Sequence, residues 1–497
     1  MLLKSKSWPW LLVGSAGSLL AYHGRWGMAL AAWVFTIFLL RFTRSTRVLT
    51  GTAAIWLVYA LGGAFYLAES GLEVFTPTFA IILVYSTFLV VPYVVDRLLA
   101  GRLPGLLGTL VFPTAMVGAE YVLGALSPLG VALSSMGTTQ HANLPLIQMA
   151  SITGTYGITF ILAWFATTVL HIWEQRLRWP DIKLATTVHA AVLALVLVGG
   201  TIRIAFFAPD AQTVRVATIS PSRSVDARLD GLLTQYEGVK GMTSGDPAVV
   251  RPALALVSND LLKSTEREAA AGAQIVVWPE AGTLVREADR DALLLQIAAV
   301  ARQTGTYINA GLLVLTSKAP YYARNQAVLI DPRGQARWTY DKSKPVPAMD
   351  RIEPGDGKVP AVDSPVGRIA NVICFDADFP SLMRQQPEVD LMLVPSNDWV
   401  EFGRTHTEKT ALRAVENGYS LIRADSHGQS GAFDPLGRSV GSVDYFSTEQ
   451  QTMVVSVPTH GLRTAYTTIG DLFTWLCLAG LVLLTVAGLR RRSSTRG

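Results

Sequence analysis

Ile373-Cys374-Phe375-Asp376-Ala377-Asp378-Phe379-Pro380 holds the only cysteine in the polar part of this chain, and an apolar run, Ile369-Ala370-Asn371-Val372-Ile373, leads into it. Two upstream segments end in a similar way. Val276-Val277-Trp278-Pro279-Glu280 closes an apolar run on a carboxylate, and Tyr340-Asp341-Lys342-Ser343-Lys344-Pro345 supplies a lysine. Glu, Lys and Cys, each on its own strand-like segment, are the residue types of a base, an oxyanion-binding cation and a nucleophile. A thiol becomes a competent nucleophile when a base takes its proton and a cation favours the thiolate. Each residue also has an ordinary reading: a buried core cysteine, a glutamate opening a helix after Trp-Pro, and a lysine beside Lys344 on a solvated loop.

Outside that middle region the composition is that of a membrane protein. Of the 497 residues 50% are hydrophobic and 16% charged, with long uncharged stretches towards both ends. Seven candidate spans precede residue 207, at roughly 8–22, 26–41, 49–68, 77–95, 105–125, 155–173 and 185–206, and an eighth runs from about 470 to 489. About 20 residues at ~1.5 Å each cross a ~30 Å hydrocarbon layer, so most qualify, while the first two are short. Lys4 and Lys6 before the first span also fit a signal peptide, but more spans follow at once and no small-residue cleavage site stands out.

Lys and Arg fall in alternate connections: Lys4 and Lys6, then Arg41, Arg44 and Arg47, then Arg97 and Arg102, then Arg176, Arg178 and Lys183, and finally Arg490, Arg491, Arg492 and Arg496. The intervening loops are poor in both, with only Arg25 in the first, Glu69 and Glu73 in the third, and no Lys or Arg in 126–154. By the positive-inside rule both termini are cytoplasmic and the polar middle is extracytoplasmic. The net charge of +5 follows from that topology, and no nucleic-acid partner is expected. The chain divides into a membrane domain (1–207), a polar domain (212–459) and a last span with a basic tail (460–497). Cys477 lies in the eighth span and cannot meet Cys374, so a free thiol is expected on the oxidising side of the membrane.

The polar domain alternates β-branched runs, among them 214–219, 275–278, 307–314, 326–330, 369–373, 391–395, 420–423 and 453–457, with amphipathic stretches at about 247–272, 288–304 and 405–418. Turn signals such as Asp331-Pro332-Arg333-Gly334 separate them, which argues for an α/β domain. The Ser-, Asp- and Gly-rich stretch 221–246 reads as irregular. His406 and Glu408, with Asp425 and His427, contain no close-spaced histidine pair, so no metal is expected. Neither a phosphate-cradling loop, a Gly-x-Ser-x-Gly elbow nor a dinucleotide fingerprint occurs, which argues against ATP, a serine nucleophile and nicotinamide. Trp399 and Phe402, after Asn397-Asp398, are candidates for a cleft mouth that meets acyl chains.

Pro-Glu, then Tyr-x-Lys, then Ile-Cys-Phe-Asp, in that order, resembles the nitrilase (carbon–nitrogen hydrolase) superfamily. Asp390-Leu391-Met392-Leu393-Val394-Pro395-Ser396-Asn397-Asp398 and Leu412-Arg413-Ala414-Val415-Glu416-Asn417 match it as well. The spans on both sides, Tyr156-Gly157-Ile158-Thr159-Phe160 and Thr464-Ala465-Tyr466 with Gly470-Asp471 resemble the family's membrane-embedded branch, the apolipoprotein N-acyltransferases. The resemblance implies a multi-span α-helical membrane protein of about eight transmembrane helices carrying an extracytoplasmic nitrilase-like α-β-β-α sandwich. It implies Glu280 as general base, Lys342 as oxyanion stabiliser and Cys374 as nucleophile, without a cofactor.

The implied reaction moves a fatty acyl chain from a phospholipid, through a cysteine thioester, to the α-amino group of a diacylglyceryl-cysteine on a lipoprotein, at the bacterial cytoplasmic membrane by a monomer. Two other readings stand beside it: a tethered amidase or nitrilase whose thioester is resolved by water, and an inactive nitrilase-fold binding module. The chain departs from the family in its lysine loop, Lys344-Pro345-Val346-Pro347-Ala348-Met349-Asp350, and after the cysteine, where Phe375-Asp376 replace Tyr-Glu. Asp350, Glu353 and Asp376 are therefore the candidate carboxylates for supporting Lys342.

Overall fold

The computed structural model describes residues 7–133, 135–209 and 212–494, so Lys4, Lys6 and Arg496 lie outside the described residues. The chain forms two compact units, Met1–Ala208 with Thr464–Gly497, and Pro209–Arg463.

The first unit is helical. Its long elements are Trp8–Ala21, Ala29–Ser45, Val48–Glu69, Pro77–Leu99, Val111–Leu126, Thr155–Glu174, Trp179–Phe206 and Leu472–Ser494. Six of the described helices are long and apolar enough to cross a membrane, and Trp8–Ala21 and Ala29–Ser45 are shorter. Proline at the first turn starts Trp8–Ala21, Pro77–Leu99 and Trp179–Phe206, where the missing N–H has no partner to lose. Val111–Leu126 and Thr155–Glu174 are interior helices, each mostly buried, whereas Trp179–Phe206 is apolar on nearly every side and largely exposed. An all-round apolar helix that protein does not cover is what lipid requires.

Polar side chains in this unit are paired. Arg44 makes a two-pronged contact with Asp96 (2.8 Å each) and reaches Glu174 at 2.9 Å. Those three residues sit towards the C-terminal ends of three different helices, which places those ends on one side of the unit. Buried Glu120 accepts from Ser135 Oγ, Met136 N and Thr159 Oγ1 at 2.7–2.9 Å and so fastens the 127–154 connection. The helix Ala465–Ile469 packs against Ala150–Thr153, and Gly154, at φ +63°, leaves room for the Tyr466 ring that a Cβ would strike. Tyr156 and Cys477 are buried together with Val117, so the two cysteines are separate free thiols.

Among the described residues the second unit is built on thirteen strands: β1 Thr213–Ile219, β2 Ile275–Val277, β3 Thr283–Arg286, β4 Tyr307–Leu315, β5 Ala323–Ile330, β6 Ala336–Asp341, β7 Ala361–Ser364, β8 Gly367–Asn371, β9 Leu391–Asn397, β10 Ser420–Ser426, β11 Gln429–Phe433, β12 Ser439–Asp444 and β13 Thr452–Pro458. They form one sheet of order β13-β1-β2-β4-β5-β6, with β3 beside β4, and a second of order β12-β11-β10-β9-β8-β7. Asn309 on β4 donates to Asn371 on β8 at 2.9 Å, linking the sheets through buried amides.

Helices Pro247–Ala270 and Arg290–Thr304 cover the first sheet, burying Leu254, Val257, Leu261, Ile297 and Ala301 against Trp278, Val276 and Ile308. Ala411–Asn417 covers the second, and the unit is an α-β-β-α sandwich. Stretch 221–246 is not irregular: it forms helices Arg223–Leu233 and Gly238–Ser244, because Val225, Leu229, Tyr236, Val239 and Met242 find the apolar core of the first layer. The amphipathic stretch read at 405–418 is two short helices, Gly403–Lys409 and Ala411–Asn417. Strands β3, β7, β11 and β12 were not evident in the sequence, since they are short or carry polar residues on an exposed face.

Candidate active site

Three chain crossings converge at one end of the sandwich. Glu280 lies just beyond β2, in a turn whose N–H donates to the Ser396 carbonyl at 3.2 Å. Gly311 on β4 permits this turn, because a Cβ there would overlap the Pro279 carbonyl. The Glu280 carboxylate is buried and accepts from Asn325 Nδ2 at 2.6 Å, Lys342 Nζ at 2.8 Å and Asn397 N at 3.1 Å. Lys342 follows β6 and is 2% exposed; its ammonium also donates to Asp350 Oδ2 at 2.7 Å. Burial alone would push the lysine's pKa down, but Glu280, Cys374 and Asp350 outweigh it and hold the ammonium well above its ordinary value.

Of the three candidate supporting carboxylates, Asp350 is the one at the lysine. Its shorter side chain reaches because the loop after Lys344 turns tightly, with Val346 N–H donating to Asp350 Oδ2 at 2.9 Å. Glu353 is exposed and away from the lysine's contacts. Asp376 has a different place: it accepts from Tyr340 Oη (2.8 Å), Ile373 N (3.1 Å) and Lys344 N (2.7 Å), tying the lysine's loop to the cysteine's turn. Burial, against Lys342 and these donors, pushes its carboxyl up to about 6.

Cys374 sits at φ +46°, at the head of the 3₁₀ turn Cys374–Asp378 that follows β8. A non-glycine residue in left-handed backbone is strained and turns its side chain out of the strand's alternation. Burial pushes the thiol well above its ordinary value, Glu280 and Asp398 add to this, and Arg423 and Lys342 only partly oppose it. Its surroundings therefore favour the neutral thiol over the thiolate. Phe375 packs edge-on against Phe379 at 5.4 Å. Trp399 and Phe402 stack on each other at 5.1 Å, and Phe402 leans on His406.

The sequence reading did not assemble what lies behind the sulfur. Asp398 Oδ1 is 3.9 Å and Arg423 Nη2 3.7 Å from Cys374 Sγ. Arg423 also reaches Asp398 at 2.9 Å, and His406 bridges Asp398 (2.9 Å) and Asp378 (2.8 Å). Cys374, Asp398 and His406 bring three metal-type donor atoms within 4.8 Å of one another, but the Arg423 guanidinium sits among them as a permanent positive charge. Burial would raise the Asp398 carboxyl, yet His406 and Arg423 hold it well below the carboxylate range, while burial and the Asp398 charge drive Asp425 well above. Arg413 and Glu416 form their own buried pair at 2.9 Å within one helix, a structural role.

Known proteins show the same division. The apolipoprotein N-acyltransferase N-terminal domain matches residues 15–168, and the carbon–nitrogen hydrolase family matches 250–465. Along most of its length the chain is similar to proteins named apolipoprotein N-acyltransferase. Its relatives of that name include one from Geobacter metallireducens, 28% identical over 434 residues (81% of this chain, 78% of the relative). Another, from Chlorobaculum tepidum, is 23% identical over 464 residues, 83% of each chain. Among solved structures, an amidase from Nesterenkonia sp. aligns with 50% of this chain and 91% of its own at 20% identity, with a TM-score of 0.38. A helical unit and a nitrilase-like domain thus share one polypeptide here.

Proposed function

We propose that this chain N-acylates lipoproteins in two steps, with Cys374 as the acyl carrier, Glu280 as the proton acceptor and Lys342 as the oxyanion-binding cation. In the first step the Cys374 thiol gives its proton to Glu280 and sulfur attacks the ester carbonyl of a phospholipid acyl chain. The charge that develops on oxygen is met by Lys342 and the Phe375 N–H. Collapse expels the lysophospholipid alkoxide, which takes the proton back from Glu280 and leaves a thioester. In the second step the α-amine of a diacylglyceryl-cysteine attacks the thioester and Glu280 takes its proton. An amide forms as the C–S bond breaks and the thiol is restored. The ester carries its own activation, so no cofactor is required.

The observation that carries this reading is the clamped lysine. Lys342 is held between Glu280 at 2.8 Å and Asp350 at 2.7 Å in a buried site shared with Cys374, in a chain whose membrane unit matches the family's N-terminal domain. A donor that is a membrane lipid also explains why the polar domain is joined to helices at both ends, Trp179–Phe206 before it and Leu472–Ser494 after it. The arginine-rich ends of alternate connections support a multi-pass protein of the inner membrane, with both termini cytoplasmic and the nitrilase-like domain outside.

Intact mass spectrometry after incubation with phospholipid, comparing wild type with Cys374→Ala, tests the reading. An acyl adduct that needs Cys374 and then moves to a diacylated lipopeptide is expected. An adduct that drains only to water would replace the transferase with a hydrolase.

A further inference from the structure

Arg423 is the centre of β10 and is wholly buried, a position where strand residues are ordinarily apolar. A guanidinium taken out of water is costly unless its charge is used. Its neighbours leave that charge partly unspent. Among the described residues Asp398 is the one ionised carboxylate in hydrogen-bonding range of it, and His406 draws on the same carboxylate. The Asp425 carboxyl, 3.5 Å from Arg423 Nε, is pushed towards its neutral form by burial and by Asp398. Nη1 has no hydrogen-bond partner among the described residues. Lys342, by contrast, has its single charge shared between two carboxylates.

We propose that Arg423 is a further catalytic residue: its Nη2, 3.7 Å from Cys374 Sγ and aimed by Asp398, is a second cation for the sulfur whenever the sulfur carries negative charge. That happens twice in the proposed reaction, on which this inference rests. In acyl capture the S–H bond breaks, the proton goes to Glu280 and the electron pair on sulfur forms the S–C bond. In transfer the C–S bond breaks and its pair returns to sulfur. Arg423 gives up no proton in either step, since a guanidinium stays protonated in proteins. The groups facing the sulfur are Glu280 and Asp398, which disfavour its anion, Lys342 and Arg423, which favour it, and His406, with a ring nitrogen within 4.8 Å of it. His406, pinned by Asp378, completes the ring and keeps Asp398 from taking Arg423 entirely.

The test is the rate at which iodoacetamide alkylates Cys374 between pH 6 and 10 in the full-length protein, in a Cys477→Ser background that leaves one thiol. Arg423→Gln is expected to slow alkylation tenfold or more at pH 8 and to move the rate profile up by at least one pH unit. Arg423→Lys should give a smaller shift, and Asp398→Asn should move the profile the other way. Opposite shifts do not arise from general loosening of the site. An unchanged profile for Arg423→Gln overturns the proposal. If the glutamine variant does not fold, an unshifted Arg423→Lys profile overturns it instead. Because alkylation needs no lipid, a shifted profile in a protein that never takes an acyl chain would sink the lipid reading alone, and an unshifted one in an active transferase would sink this inference alone.

Discussion

The two sheets approach the Cys374 sulfur with different kinds of charge. The first brings Glu280 and Lys342 beyond β2 and β6, with Asp350, whose side chain is 26% exposed. The second brings Asp398 and Arg423 beyond and within β9 and β10, exposed by 2% and 0%, with His406 at 4%. Glu280 and Lys342 are themselves only 5% and 2% exposed, so the first cluster meets solvent mainly through Asp350. In the proposed reaction a proton acceptor and an oxyanion cation must meet substrate, and Asp350 marks the open edge of that cluster. A group that only sets the electrostatic field at the sulfur works best where water cannot screen it.

The largest effect that separates the clusters is expected at the first. Glu280→Gln should lower acyl capture by about 10²–10⁴-fold, the usual worth of a general base, and should also cost stability, because buried Lys342 keeps only Asp350 as a carboxylate partner. Lys342→Met should lower turnover by about 10²–10³-fold and also destabilise the fold by ~3–5 kcal/mol, because Glu280 and Asp350 lose their shared partner. Adding Asp350→Asn to Lys342→Met should recover melting temperature without recovering turnover. Recovery of both in a turnover assay would show the lysine to be structural.

The second cluster is expected to show itself in pH dependence. Burial and Arg423 oppose protonation of His406, but Asp398 and Asp378 outweigh them and raise its pKa above the ordinary value of about 6.5. The stability it adds is fully present below about pH 6.5 and is lost as pH rises through the raised folded value. Melting curves of wild type and His406→Gln should therefore differ most in acid and converge in alkali. A gap that widens with pH would reverse the assignment. Smaller still, Glu353→Gln should leave melting within about 0.5 kcal/mol and turnover at the wild-type level, since the side chain is exposed and outside the lysine clamp.

The sequence made the first cluster far more legible than the second, for a physical reason. Glu280 and Cys374 each end an apolar run, where a polar residue stands out against its neighbours, and Lys342 follows the strand-like Tyr340-Asp341. Arg423 lies inside Ser420-Leu421-Ile422-Arg423-Ala424, where alternation alone would send it to solvent. Only the parallel pairing of β10 with β9, which sets Arg423 beside Val394 and Asp425 beside Ser396, shows that both faces of that strand are covered. Asp398 and His406 were visible as polar residues near an Asn-Asp turn, yet nothing local ties them to a cysteine 24 residues from Asp398. The choice among Asp350, Glu353 and Asp376 depended likewise on a turn after Lys344 that composition does not specify. In the membrane unit the long spans were plain from hydropathy, while the contact of Tyr466 with Gly154 required the fold.

The most direct test of the account is the rate at which an acyl-adduct mass appears on wild type and on Glu280→Gln after mixing with phospholipid, each then given a diacylated lipopeptide. The account predicts an adduct on wild-type Cys374 that passes to the lipopeptide amine, and capture slowed by about 10²–10⁴-fold in the variant. Capture by Glu280→Gln at the wild-type rate would contradict it.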